Sequence, residues 1–259
     1  MSRLVCQFSC GAASAVAAKL ILAESPTDEV LIVNAFVRQE HEDNRRFLRD
    51  CETWFAHPVT VVRNELYNAS TYEVWTRKRF MKNRFTAPCS SALKRDAIAK
   101  LMLPGDISVI GYTSDKRERD RADRLADLFP EEAFRFPLIE RGLGKADCLA
   151  IIQNAGIELP MMYRLGYNNA NCIGCVKGGE GYWNKIRRDF PAEFIQIADI
   201  QESLGPGANL FRDRHTQERY SLRDLPPNKG RYQDEPEISC GFVCQRVEEE
   251  FSQEIGEVE

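Results

Sequence analysis

Through the first half of the chain, short apolar β-rich runs alternate with segments whose apolar residues recur every three to four positions. No other feature restricts the fold as much, because strand, helix and strand in repetition is the pattern of parallel βαβ units. The predicted strands are Leu4–Ser9, Val30–Val37, Val59–Val62, Ile107–Tyr112 and a less regular Phe134–Leu138. All but the last are near-continuous apolar runs, as a sheet covered on both faces requires. Between them, Val16, Ala17, Leu20 and Ile21 mark one helix, and Phe47, Leu48, Cys51, Trp54 and Phe55 a second. Ala97, Ile98, Leu101 and Met102 mark a third. Right-handed crossovers then lay each helix on the sheet. The expected fold class is α/β: a doubly wound, open parallel sheet of Rossmann type, about five strands in the order 3-2-1-4-5, with a smaller metal-stabilised C-terminal region.

The texture changes near residue 140. "LIERGLGKADCLAIIQNAG" reads as a loop and a helix stopped by Gly156, and Pro191–Leu204 as a helix with Phe194, Ile197, Ala198 and Leu204 inward. Residues 205–245 carry proline, glycine and charge with little periodicity. This reading gives an open doubly wound α/β domain over 1–140, a helical and irregular cysteine region over 141–246, and an acidic tail over 247–259. The tail, "VEEEFSQEIGEVE" with six glutamates, is expected to be frayed.

A chain of 259 residues can bury a full core. No apolar run approaches the ~20 residues of a membrane span, and "MSRLVCQF" enters a strand without a signal-peptide core, so a cytoplasmic protein without a membrane partner is expected. In that setting the nine cysteines raise metal binding or catalysis rather than disulfides. The net charge of −4 conceals residues 77–95, with seven Lys or Arg and no acid. That stretch reads either as a patch that meets an anion or as a solvated face neutralised by acids elsewhere.

Between the first strand and first helix lie Ser9, Cys10, Gly11, Ala12, Ala13 and Ser14. A strand passing through small residues into a helix presents consecutive amides at a positive dipole end, where a phosphate fits and the Ser9 and Ser14 hydroxyls can add hydrogen bonds. The alternative is a tight turn at Gly11 with Ser14 capping a helix. The stretch "FSCGAASAVAAK" resembles the phosphate loop of the adenine nucleotide α-hydrolase-like superfamily, usually Ser-Gly-Gly-x-Asp-Ser, which includes ATP pyrophosphatases and phosphoadenylylsulfate reductases. Cys10 stands for the first Gly and Ala13 for the Asp, a residue associated with metal-bound triphosphate in pyrophosphatase members. "APCSSALKRDAI" is similar to a Cys-x-x-x-Leu-Lys segment of reductase-like members, and "VIGYTSDKRERDR" to their Gly-Tyr strand end and Arg-bearing helix. The resemblance implies that Cys89, Lys94, Gly111, Tyr112 and Arg121 surround the nucleotide, with Cys89 catalytic, and that backbone near Asn34 and Phe36 meets the adenine.

Cys172 and Cys175 form C-x-x-C around Gly174, and Cys240 and Cys244 form C-x-x-x-C around Gly241. Two thiolate pairs can close one tetrahedral site for zinc or a cubane iron–sulfur cluster. Cys6, Cys51 and Cys148 occupy apolar positions and read as core. "NCIGCVKGGEGYWNKIRRDFPAEF" resembles a segment of phage and bacterial phosphoadenylylsulfate-reductase-like proteins. Lys177, Lys185, Arg187 and Arg188 would make it cationic; Tyr182 and Trp183 either stack on a nucleobase or, with Ile186, form a core edge.

The resemblance implies an enzyme that uses ATP or a related adenine nucleotide, with magnesium where oxygens allow. It adenylates an acceptor and transfers sulfur with a four-iron four-sulfur cluster on Cys172, Cys175, Cys240 and Cys244, zinc being the alternative metal. A nucleic-acid acceptor held by residues 77–95 and 177–188 fits the tRNA thiolases and DNA phosphorothioation component of that group. One alternative is an adenylylsulfate or phosphoadenylylsulfate reductase with Cys240 as nucleophile, since "SCGFVC" resembles the Glu-Cys-Gly-Leu-His reductase tail with Ser239, Phe242 and Val243 departing from it. Another is a non-catalytic nucleotide-binding protein with structural zinc. Homo-oligomerisation is compatible with all three.

Overall fold

The computed structural model describes residues 3–25, 29–83 and 87–238. The tail from Val247, together with Cys240 and Cys244, lies outside the described residues. In chain order the elements are β1 (Leu4–Gln7), α1 (Ala12–Glu24), β2 (Val30–Ala35), α2 (Asn44–Phe55), β3 (Val59–Val62), α3 (Thr71–Lys78), α4 (Pro88–Ser90), α5 (Asp96–Ala99) and β4 (Ile107–Val109). There follow α6 (Lys116–Leu128), β5 (Ala133–Arg135), α7 (Pro137–Glu140), α8 (Lys145–Asn154), α9 (Met161–Arg164), α10 (Glu180–Asp189), α11 (Pro191–Leu204), β6 (Phe211–Arg212) and β7 (Arg219–Tyr220). They divide into two compact units of interleaved segments. Among the described residues the first comprises 3–25, 29–36, 41–63 and 96–170, the second 37–40, 64–83, 87–95 and 171–238.

The first unit is a five-stranded sheet in the order β3-β2-β1-β4-β5, all pairs parallel, with helices flanking it: an α/β doubly wound fold. Alternation along β1 sends Leu4, Cys6 and Phe8 to one face, where they join Ala15, Val16, Ile21, Phe47, Phe55 and Ile152 in the principal core. Val5 goes to the other face and packs with Val33, Ala35 and Ile98. Central strands between two apolar layers read as near-continuous apolar runs, and β1 and β2 do, with Gln7 and Asn34 near their carboxyl ends as the exceptions. The sequence suggests the same two-sided cover for β3. It is an edge strand with Thr60 and Val61 exposed, and its Val-rich run carries β propensity rather than burial.

β1, β2 and β4 start where predicted and end two or three residues early, at Gln7, Ala35 and Val109. Two other boundaries differ for local reasons. The strand predicted over Phe134–Leu138 stops at Arg135, because Pro137 has no N–H for a ladder and instead starts α7. The helix marked by Ala97 to Met102 is regular only over Asp96–Ala99, preceded in the chain by a π-helical turn at Ser91–Arg95. Gly156, at φ +74°, ends the stretch after α8 as its position in the sequence suggests.

In the second unit α10 and α11 are the longest helices, and α11 spans the predicted Pro191–Leu204 with Phe194, Ile197 and Ala198 buried. Of the glycines of "KGGEGYW", Gly181 serves backbone approach. A Cβ on Gly181 would stand 2.5 Å from the Tyr232 nitrogen and 2.6 Å from the Arg231 carbonyl carbon, and one on Gly230 2.3 Å from the Gly181 nitrogen. The segment 230–235 therefore lies directly on the first turn of α10. There the Glu235 carboxylate accepts from the Gly181 and Tyr182 amides at 2.6 and 3.0 Å, capping the helix's positive end.

Candidate functional site

The chain leaves β1 at Gln7 and enters α1 at Ala12. To turn so sharply, Cys10 takes a left-handed conformation, φ +57°, which costs a residue with a Cβ about 1 kcal/mol or more. Its surroundings hold it there. The thiol is buried, and the Asn34 side-chain amide donates to the Phe8 carbonyl at 2.8 Å and to Cys10 Sγ at 3.4 Å. The cysteine thus keeps the backbone turn of the glycine it stands for and lends its side chain as an acceptor.

Gly11 is the N-cap of α1, in extended conformation, so the N-cap position itself contributes no side-chain hydrogen bond, and there is no acid in the first turn. The Ser14 hydroxyl accepts from the Ser9 amide at 3.1 Å and donates to the Gly11 carbonyl at 3.0 Å, while the Ser9 hydroxyl lies 3.1 Å away. Ser14, expected to donate outward, here braces the loop from within, and exposed Ser9 is the outward hydroxyl. The Tyr163 phenol accepts from the Ala12 amide at 3.4 Å and would lie 3.4 Å from a Cβ on Gly11. A polar oxygen therefore stands on the first-turn amide where an anion's oxygen would bind.

The neighbouring strand ends complete this corner. A Cβ on Gly111 would meet Ser14 Cα at 2.7 Å, Ser14 N at 2.8 Å and the Ala13 carbonyl carbon at 3.0 Å, so the end of β4 lies flush on the loop. Tyr112 is buried, stacked on Phe136, and takes a hydrogen bond from Arg121, whose guanidinium lies 4.3 Å from its ring centroid and is paired with Glu118 at 2.7 Å. Arg121 thus braces Tyr112 as well as carrying charge. Asn34 acts through its side chain, and the Phe36 amide donates to the Val62 carbonyl at 2.9 Å, continuing the β2–β3 ladder. Ser9 to Ser14, Asn34, Phe36, Gly111, Tyr112 and Arg121 all belong to the first unit.

Cys89, Lys94, Cys172 and Cys175 belong to the second. Lys94 forms a 2.8 Å ion pair with the nearly buried Glu40 carboxylate. Cys89 and Cys172 pack on one apolar patch of Val37, Val74, Ala92 and Leu93. The C-x-x-C loop turns at Gly174, φ +71°, where a Cβ would stand 3.2 Å from the Trp183 ring. One phenol fixes both ends of the loop: Tyr182 accepts from the Cys175 amide at 2.9 Å and donates to the Cys172 carbonyl at 3.2 Å. Burial pushes the Lys82 ammonium below its ordinary range, with Cys175 and Glu235 opposing.

Asn171, next to Cys172, donates to the Ile238 carbonyl at 2.9 Å. Cys240 follows Ile238 by two residues. Cys240 and Cys244 lie outside the described residues, and among the described residues no group of three or more Cys, His, Asp or Glu gathers that could hold a metal ion.

The stacking role weighed for Tyr182 and Trp183 is corrected: they are 2% and 0% exposed, inside the core with Ile186 and Phe194. Nor do the nearby cations form one free face. Arg187 donates to the Leu222 and Leu225 carbonyls, and Lys185 pairs with Asp189. In residues 77–95, Arg77 pairs with Glu73. Cys6, Cys51 and Cys148 are buried core thiols.

Sequence reasoning missed Tyr163, the Glu235 clasp, and Arg45 and Arg63, whose guanidiniums lie 4.7 and 4.4 Å from the Phe36 ring centroid. Only Arg63 carries a local signal, as the first residue beyond a predicted strand's carboxyl end. Compared with protein-family models and with curated proteins, the chain matches none. Among the described residues no helix is long and apolar enough to cross a membrane.

Proposed function

We propose that the loop from Ser9 to Ser14 binds the phosphate end of a nucleotide, which puts the chain in the class of nucleotide-binding α/β proteins. More particularly, we read it as an adenine-nucleotide-dependent enzyme of sulfur metabolism or nucleic-acid modification. In this reading an acceptor oxygen attacks the α-phosphorus of ATP, pyrophosphate leaves, and a sulfur nucleophile then displaces the adenylate. The observation that carries the proposal is the amino end of the 13-residue helix α1, which has no N-cap side chain, is entered through a left-handed Cys10 and is backed by Gly111.

First-turn amides and the helix dipole would hold the phosphate and meet charge growing on its oxygens during displacement. The Tyr163 hydroxyl gives up the Ala12 amide to the incoming oxygen and can itself donate to it. Since α1 has no acid in its first turn, that turn would offer no carboxylate to a magnesium ion accompanying the nucleotide. Cys172 and Cys175, on a loop fixed by Tyr182 and Gly174, would hold one half of a thiolate site, with Cys240 and Cys244, which lie outside the described residues, supplying the other half. A four-iron cluster bound there would supply sulfur or electron transfer, and zinc would supply stability alone.

The test is ATP binding, pyrophosphate release and metal content of anaerobically purified protein. Expected are bound iron and ATP binding that Gly11→Asp abolishes with the fold retained, because the new carboxylate would occupy the cradle near Tyr163 and Ser9. Unchanged ATP affinity in Gly11→Asp overturns the loop assignment. ATP binding without turnover, together with one equivalent of zinc, selects the second reading, a non-catalytic nucleotide-binding protein. The acid-free first turn of α1 is what favours that reading.

A further inference from the structure

β2 and β3 end in register, Ala35 beside Val62, so the next residues, Phe36 and Arg63, emerge side by side at the carboxyl edge of the sheet. The Arg63 guanidinium carbon lies 4.4 Å from the Phe36 ring centroid. Arg45, the second residue of α2, brings its guanidinium to 4.7 Å from the same centroid. Among the described residues neither guanidinium makes an ion pair or a hydrogen bond, and both arginines are exposed. An unpaired surface arginine is ordinary, but two converging on one ring are not.

Like charges repel, and the ring's negative face compensates only about 0.5–1 kcal/mol for each cation at an exposed site. Their neighbour Arg46 shows the usual arrangement, with Asp43 and Asp50 both within 2.8 Å. The Phe36 ring orients the two guanidiniums while leaving their N–H forks without acceptors. Planar forks of this kind match phosphate oxygens in paired, charge-assisted hydrogen bonds. An aromatic base fits less well, because the ring on which it would stack is already covered by the cations. The corner is one strand away from the Ser9–Ser14 loop: β1 pairs with β2, and Asn34, two residues before Phe36, holds Phe8 and Cys10.

We propose that Arg45 and Arg63, oriented by Phe36, form a second oxyanion site that takes a phosphate group. The site stands on residues other than the loop's, so it survives if the loop reading fails. Its occupant is either a free phosphate or a phosphate borne on the ribose of a nucleotide held by the loop.

The test is calorimetric titration of the full chain with inorganic pyrophosphate, and separately with adenosine 5′-monophosphate and adenosine 3′,5′-bisphosphate. The wild type is expected to bind two pyrophosphates, Gly11→Asp one, and the Arg45→Gln/Arg63→Gln double variant one. Each arginine replaced singly weakens the second site roughly tenfold or more, and Arg63→Lys restores part of the loss. A bisphosphate preference of roughly tenfold that vanishes in the double variant assigns the site to a ribose phosphate; equal binding of the two nucleotides assigns it to a free anion. Unchanged pyrophosphate stoichiometry and affinity in a folded double variant overturn the proposal. So does an effect of the arginines confined to single-stranded oligonucleotides.

Discussion

Gly111 has room for a hydrogen atom and nothing larger. Every atom within 3.0 Å of a Cβ there is backbone of Ala13 or Ser14, which cannot swing aside as a side chain would. Gly111→Ala should therefore push the β4 end off the loop. The expected outcome is a loss of about 1–3 kcal/mol in urea unfolding, together with weaker nucleotide binding. Wild-type stability would show that the corner is less tightly packed than these contacts require. The small residues from Ser9 to Ser14 were legible as a cradle because strand, small residues and helix are contiguous in the sequence. Tyr163 was not, since it arrives from about 150 positions further along the chain and nothing near it marks a ligand. The left-handed Cys10 was legible only as a departure from a glycine pattern. Its solution, an Asn34 amide on both Phe8 and the thiol, depends on strand pairing that a linear reading leaves open.

At the scale of elements, α2 and α9 are joined through one carboxylate. Asp43 pairs with Arg46 at 2.8 Å and accepts from the Met161 amide at 2.7 Å, so it anchors the short helix that carries Tyr163. The hydrogen bond from Arg46, and then that from Met161, hold the Asp43 carboxyl below the ordinary range despite its partial burial. A carboxyl held low in the folded state stabilises above its unfolded pKa of about 3.9 and loses that contribution as pH falls through the lower folded value. Melting temperature should therefore fall below about pH 4, and Asp43→Asn should flatten that decline while lowering stability at neutral pH. A variant with the wild-type acid profile would remove Asp43 as the anchor. The same scale shows why element ends were misjudged. Propensity extends a strand through Phe134–Leu138, but a proline's missing donor decides where it ends. In the stretch "KGGEGYW", Gly181 is there for close backbone contact with residues 230–232. Gly181→Ala should displace residues 230–235 and, through them, Ile238 from Asn171. The expected result is lower metal content in the purified protein; full metal occupancy would detach the clasp from the cysteine region.

For the whole molecule, the cysteines among the described residues sort by environment rather than by spacing alone. Burial pushes the Cys6, Cys51 and Cys148 thiols up to about 12, so at neutral pH they are neither thiolate ligands nor nucleophiles. The sequence placed these three in the core because each falls on an apolar period. It could not show that Cys89 and Cys172 share one apolar patch, since the residues between them span both units. Their environments give the two groups of cysteines opposite signatures. A thiol raised in the folded state contributes stability that is complete below the unfolded pKa of about 8.5 and is lost as pH rises toward the folded value, because only the unfolded chain ionises in between. The urea midpoint should therefore decline from about pH 8.5 upward, and each Cys→Ala change at 6, 51 or 148 should make that decline shallower without altering metal content. Cys172→Ser, Cys175→Ser and the Cys240→Ser/Cys244→Ser pair should do the reverse, removing bound iron or zinc. The described residues hold no third ligand near Cys172 and Cys175, so a site that keeps its metal in the Cys240→Ser/Cys244→Ser protein would require a ligand set other than the four cysteines, and the C-x-x-C loop would then be a core turn.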